Sequence, residues 1–293
     1  MEQYHGKLRK ALFAAIACLG LAGTAQAGDP SARDWIPAPP GTNVFAGYFA
    51  ALGSHGFYDR GDRIEGGPSV DVQAVVLRPM AFRKLGNFTV QYELIAPAYR
   101  NTIKVPGAPH DRMTGMGDIQ AGAAVWFYNN EETRTWFAWE PFITFPTGRY
   151  HGSHADASPG KNRWTTVQDF AFVKGVGEST YLEGVAEFEF YGDNDNYYGQ
   201  KLEKSPSMRL MFLASTNLTP DTYVGMRYRY ETGGREKING ETATPSQRSH
   251  QLAAEITHQL NDSNQIQFQY IHDLSVRNGP KMRGVQLRYA YIF

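Results

Sequence analysis

Cysteine is almost missing from this chain: Cys18 is the one example among 293 residues, and it sits inside an apolar run near the N-terminus. Cleavage after that run leaves no thiol, which excludes disulfides and cysteine-ligated metal centres. Long apolar runs are missing as well. The longest, Ala11 to Ala22, covers about a dozen residues, against the roughly 20 that a membrane-crossing helix needs, so no transmembrane helix is expected. Excess charge of one sign is absent too, with 29 basic and 29 acidic side chains. Nothing in that balance suggests nucleic-acid binding.

The N-terminal stretch with Lys7, Arg9 and Lys10, the apolar run, and the small-residue site Ala25-Gln26-Ala27 together read as a secretory signal peptide over residues 1–27. The alternative is lipidation of Cys18 at Ala15-Ile16-Ala17-Cys18. It would leave an apolar run near the lower limit for export. What the chain does have is 13% aromatic residues and 30 glycines at a mean hydropathy of −0.45. A barrel with a wet lumen and a lipid-facing skin uses such a mixture, whereas an ordinary soluble protein this polar does not.

Period-two alternation recurs about every twenty residues, and helical periodicity is hard to find. Twelve segments are expected as strands: 42–52, 69–80, 87–99, 116–128, 133–147, 163–175, 180–191, 206–217, 221–231, 247–259, 264–275 and 281–293. The clearest sets Leu182, Gly184, Ala186, Phe188 and Phe190 on one face against Glu183, Glu187 and Glu189 on the other. Ile266, Phe268 and Tyr270 oppose Gln265, Gln267 and Gln269 in the same way, and Val224, Met226, Tyr228 and Tyr230 oppose Arg227 and Arg229.

The connections between these segments alternate long and short, ending on a short one. That asymmetry belongs to outer-membrane barrels, with tight periplasmic turns and long extracellular loops, and an even strand count keeps both termini periplasmic. The expected fold is therefore all-β, a transmembrane antiparallel up-and-down β-barrel of about 12 strands over residues 42–293. Leu287, Tyr289, Tyr291 and the terminal Phe293 share a face of the last segment, as in the C-terminal signal read by the barrel-assembly machinery. Residues 28–41 carry four prolines and cannot form a central strand. They are expected as a leader, with Trp35 and Ile36 as a candidate plug, because an apolar pair in a free tail would have no partner.

The stretch Asp34-Trp35-Ile36-Pro37-Ala38-Pro39-Pro40-Gly41-Thr42-Asn43 and the aromatic strand Phe45 to Phe49 resemble the start of the family labelled "MetA-pathway of phenol degradation". Gly115-Met116-Gly117-Asp118, Phe145-Pro146-Thr147-Gly148 and the aromatic C-terminus extend the resemblance over the whole mature chain. It implies an outer-membrane barrel that takes up small hydrophobic or aromatic compounds. No binding residues come with it.

Lumen candidates follow from parity. Glu189, Arg209 and Arg229 are expected at one height, with Glu187 and Arg227 a rung below. An Arg facing lipid at midplane would cost roughly 2 to 4 kcal/mol, so these charges must face water or each other. They could select an organic anion or simply brace the wall. Asp71, Gln73, Gln91, Glu93, Asp118, Gln120, Glu140, Glu255, Gln286 and Arg288 complete a mixed-sign, amide-rich lining. Trp126, Trp136, Trp139 and Trp164, with Tyr99, Tyr128, Tyr150 and Tyr230, are expected as interfacial girdles.

His151, His154 and Asp156 on a loop fix no metal geometry, and Ser153 beside them lacks an orienting partner, so neither a metal site nor catalysis is expected. No cofactor is expected. The resulting expectation is a non-enzymatic channel, embedded in the lipid of a Gram-negative outer membrane, that admits small hydrophobic or aromatic solutes. The alternatives are a closed structural or adhesive barrel whose loops bind a partner and, more remotely, a hydrolase.

Overall fold

Alternating apolar and polar residues can satisfy lipid and water at once only if the strands pair edge to edge and the sheet closes. The computed structural model describes residues 29–293; the expected signal peptide and the alternative lipidation site at Cys18 lie outside them. Twelve strands form the wall: β1 (Asn43–Asp59), β2 (Ser69–Leu85), β3 (Phe88–Lys104), β4 (Gln120–Asn130), β5 (Thr135–Thr144), β6 (Thr165–Val176), β7 (Thr180–Tyr191), β8 (Ser207–Thr219), β9 (Thr222–Gly233), β10 (Gln247–Asn261), β11 (Asn264–Val276) and β12 (Gly279–Ile292). Each pairs antiparallel with the next, and β12 returns to β1 from Val44↔Ile292 to Tyr58↔Gly279, closing the barrel. No helix among the described residues is long and apolar enough to cross a membrane.

Eleven of the twelve expected segments each become one strand of the wall, and the twelfth, 116–128, supplies most of β4. One end carries connections of two to four residues, and the other carries five connections of nine to twenty residues plus the two-residue link 277–278. The first three strands, 17 residues each, exceed the 9–11 residues that a crossing needs and project beyond the apolar band at the long-loop end. β1 continues past the expected stop at 52 because a bulge between Ser54 and Phe57 absorbs the glycine-rich break and keeps the pairing with β12. The expected segment 116–128 is divided: Asp111–Met116 pairs with the upper half of β3, and β4 pairs with the lower half only from Gln120.

The outer skin is apolar and aromatic, with Leu182, Phe188, Phe190, Phe212, Met226, Phe268, Tyr289 and Tyr291 all exposed. Glu183, Glu187, Glu189, Arg227, Arg229, Gln267 and Gln269 point inward and are buried. Two connections expected as plain loops instead build a second sheet. Asn194–Tyr197, Gln200–Lys204, Glu236–Ile238 and Glu241–Thr244 pair in that order and cap the long-loop end. Tyr198-Gly199 and Asn239-Gly240 turn its hairpins, both residues of each pair having positive φ.

Candidate functional site in the lumen

The leader crosses the bore. Prolines and a turn keep its backbone out of the sheet, so its polar groups must bond to side chains of the wall. The N–H of Ala32 donates to Glu255 (2.9 Å) and that of Arg33 to Glu183 (2.7 Å), while Tyr223 and Trp126 donate to the carbonyls of Ala32 and Trp35. Ser31 bonds Gln267, and Asp34 accepts from Arg288 at 2.8 Å. Arg33 holds a left-handed backbone (φ 71°), and its guanidinium lies over the rings of Tyr223 and Tyr181. Asp29 is ion-paired with Arg227 (2.9 Å) and Arg229 (2.5 Å), and Arg227 also donates to the Pro30 carbonyl. Burial alone would raise the Asp29 carboxyl, but Arg229 and Arg227 outweigh it and hold the group below its ordinary value. Trp35 is buried in a cluster with Trp126, Trp136 and Phe82, and Ile36 packs on its edge.

The charged ladder forms, in a shifted register. Arg209 sits opposite Glu187 on one side and Glu231 on the other, while Glu189 lies opposite Ser207. Arg229 and Arg227 stand opposite Met211 and Leu213. The expected heights differ by one rung, a two-residue offset on both β7–β8 and β8–β9 that keeps every side chain on its face and so leaves no trace in the alternation. Arg209 bonds Glu187 (2.5 Å) and Glu189 (3.1 Å), and Glu231 approaches both Arg209 and Arg229 at 3.7 Å. Across the bore, Glu93 accepts a two-pronged contact from Arg78 and a bond from Gln91, with Glu140 buried nearby. Arg78 was not among the expected lumen residues, although its parity with Val76 and Met80 would have pointed to it.

Asp71 and Gln73 do not line the bore. They share the outer face of β2 with the exposed Val75 and Leu77, above the apolar band, where Asp71 pairs with Lys104. The inward positions of that strand are Val70, Val72, Ala74 and Val76, which join Ala46, Tyr48, Ala50 and Leu52 of β1 in an apolar cluster. The expected amide-rich lining therefore covers only part of the wall. Gln91, Glu255, Gln286 and Arg288 are buried in the lining, and Gln120 edges it. Trp126 and Trp136 also turn inward, on the parity of Ala124 and of Glu140, while a bulge after Trp126 turns Tyr128 outward; the girdle is left to residues such as Tyr128, Trp164, Tyr289 and Tyr291.

Asp118 acts on the chain itself. Its carboxylate accepts the N–H groups of Gly148 (2.8 Å) and Lys161 (2.7 Å), joining the 115–118 and 145–148 motifs and tying down the long connection 145–164. A side chain at Gly148 would meet Gly117 and Gly160 backbone within 2.6 to 2.7 Å, so the crossing needs glycine. The connection then folds into the mouth, and Asn101 of β3 donates to the Ala157 carbonyl. Ser153 bonds His151 and His154 bonds Asp111, while Asp156 is turned away from all three. No cluster that could hold a metal ion occurs among the described residues.

Asp156 accepts from Tyr197 and Tyr198 under the cap, and burial raises its pKa from 3.8 to about 7, against the opposing hydrogen bonds and Lys161. A carboxyl raised on docking favours the docked state at low pH. Docking of 151–163 is therefore expected to weaken as pH climbs from about 4 to 7, by on the order of 4 kcal/mol. Limited proteolysis of this segment, corrected for protease activity, should increase between pH 5 and 8 in the wild type. Asp156→Asn should remove that dependence; an unchanged slope would show that another group drives it.

Small cavities remain: about 180 Å³ beside the leader at the short-turn end, lined by Tyr48, Phe82 and Arg288 among others, and about 30 Å³ under the cap. A family model described as "Putative MetA-pathway of phenol degradation" matches residues 51–289. No curated protein matches the chain. Among solved structures, an outer membrane channel from Pseudomonas putida F1 is 22% identical, with 90% of this chain covering all of that one at a TM-score of 0.86. The transport unit of the autotransporter AIDA-I from Escherichia coli is 10% identical at a TM-score of 0.59, with 97% of this chain covering 99% of that one. These likenesses show the fold, an outer-membrane type of barrel.

Proposed function

The chain belongs to the MetA-pathway phenol-degradation family, whose model spans most of its length, and from that premise we propose that it is a non-enzymatic channel of a Gram-negative outer membrane. It admits small hydrophobic or aromatic compounds, phenols or aromatic acids, by passive diffusion. The observation that carries this reading is a two-faced lumen. Leu52, Val70, Val72, Val76, Ile103 and Met282 make one wall apolar, while Glu187, Glu189, Arg209, Arg227, Arg229 and Glu255 make the facing wall charged. A solute with a ring and one polar group can satisfy both walls at once, whereas a sugar leaves the apolar wall unsatisfied. The long-loop end is then extracellular and the leader periplasmic. The outward aromatic run Leu287 to Phe293 suits recognition by the barrel-assembly machinery and burial in lipid.

The leader and the docked connection favour a second reading, a closed barrel whose loops bind a partner. The two separate in liposomes carrying refolded protein. Entry of phenol and benzoate well ahead of sugars of similar size is expected. No flux of any solute through a demonstrably folded barrel would replace the channel with the closed form.

A further inference from the structure

Three cations converge under the cap without an ion pair. Lys161, Arg163 and Lys204 are each at most 8% exposed, and none has a carboxylate partner among the described residues. All three line the cavity of about 30 Å³ below the cap sheet. Three of the four acids around it are committed elsewhere. Asp118 spends both oxygens on backbone N–H groups, Glu189 accepts from Arg209 and Tyr191, and Asp156 accepts from Tyr197 and Tyr198. Glu236 lies close enough for its field to reach all three cations, yet it forms an ion pair with none. One carboxylate shared at a distance does not offset three buried cations, and burying a charge without a partner is costly.

The donors are also left open. Nη1 of Arg163 is buried with no hydrogen-bond partner, and Nζ of Lys204 stands 4.2 Å from the centre of the Tyr191 ring. Nζ of Lys161 has only the Ser158 carbonyl, at 3.3 Å. Burial lowers the Lys161 pKa to about 8, with Arg163 and Lys204 adding to that push and Asp156 opposing it. A cavity of this size holds about two waters or one carboxylate group.

We propose that Arg163, Lys204 and Lys161 form a binding site for the carboxylate of a small aromatic acid entering the lumen from the cap side. The site rests on the channel reading for the ligand's ring and on the unpaired cations for its charge. Charge-assisted bonds from a guanidinium and an ammonium favour a carboxylate over a neutral hydroxyl of the same shape. The site selects among aromatic solutes, where the two-faced wall below it does not.

The test uses the refolded full-length chain with benzoate as probe and benzyl alcohol as its neutral counterpart, reading binding by titration calorimetry and entry into liposomes. Arg163→Gln combined with Lys204→Met is expected to weaken benzoate binding about tenfold or more and leave benzyl alcohol entry unchanged. Arg163→Lys, which keeps the charge, should retain most of the binding, and heat-modifiable mobility verifies folding of each variant. The proposal falls if the wild type binds no benzoate, if the folded double variant binds it as tightly, or if both solutes lose entry equally. Binding by a wild type that passes no solute would keep the site and remove the channel reading. Passage of both solutes unaffected by the double substitution would do the reverse.

Discussion

Deleting residues 29–36 is expected to raise the single-channel conductance of the barrel about tenfold or more, because a twelve-strand bore is wide enough for a small channel once its filling is removed. The leader touches the wall at Trp126 of β4, Glu183 of β7, Arg227 of β9, Glu255 of β10, Gln267 of β11 and Arg288 of β12, so it spans the lumen from side to side. None of these contacts is a strand pairing, and the wall closes without the leader through β1 and β12. The truncated barrel should therefore fold. Asp29→Ala is the finer probe. It takes one acid from two buried guanidinium groups, a change costing about 3 to 5 kcal/mol if they stay dry. The expected response is that this end of the leader lets go and water enters, giving an intermediate conductance with frequent switching. Planar-bilayer recordings decide it. Conductance unchanged by the deletion would place the barrier at the docked connection 145–164 and favour the closed barrel.

The strand order was legible because a closed barrel has few ways to arrange a chain. Phe188 and Phe190 against Glu187 and Glu189 state their faces outright, and a two-residue repeat has no other stable use in that context. Parity failed where the sequence changes phase. The bulge at Trp126–Tyr128 turned Tyr128 out to the lipid, while Trp126 keeps the inward parity of Gln120 and Ala124. Arg227 and Arg229 face inward as expected and differ from expectation only in register. Val70, Val72, Ala74 and Val76 alternate with Asp71, Gln73, Val75 and Leu77, and the polar members invite assignment to the lumen. They face outward because that part of β2 stands above the apolar band, a height that no local pattern encodes.

One local signal in the sequence marks the cap. Asn239-Gly240, flanked by short alternating stretches, marks a tight hairpin. The leader's role was half visible: Trp35 and Ile36 indicated docking, but the ion pairs of Asp29 with Arg227 and Arg229 join positions about two hundred residues apart. No spacing rule reaches that far. The cation cluster at Lys161, Arg163 and Lys204 was hidden for the same reason, since two members come from one long connection and the third from the next.

Substituting Gly284 by Val is expected to give the largest stability loss of any single change in the wall. Gly284 pairs with Leu52 across the β12–β1 seam, where a side chain would come within 2.1 Å of the Ala51 carbonyl oxygen and 2.7 Å of the Leu52 Cα. Both are backbone atoms, so no rotamer change relieves the contact; one strand must move. Overpacking usually costs 1 to 3 kcal/mol, and a backbone clash at the closing seam should cost about 3 kcal/mol or more. The penalty falls on the pairing that joins the first strand to the last, without which both edges stay open. Refolding yield, read by heat-modifiable mobility, should fall sharply, and the urea midpoint of whatever folds should drop. Gly47→Ala and Gly184→Ala are the controls: nothing lies within 4 Å of either position, and loss of glycine's backbone freedom should leave stability unchanged or slightly improved. If Gly284→Val refolds like the wild type, β1 and β12 can pair in another register. The inward set Ala46, Tyr48, Ala50 and Leu52 would then no longer be fixed against Gln286 and Arg288, and the apolar wall that supports uptake of ring-bearing solutes would lose its footing.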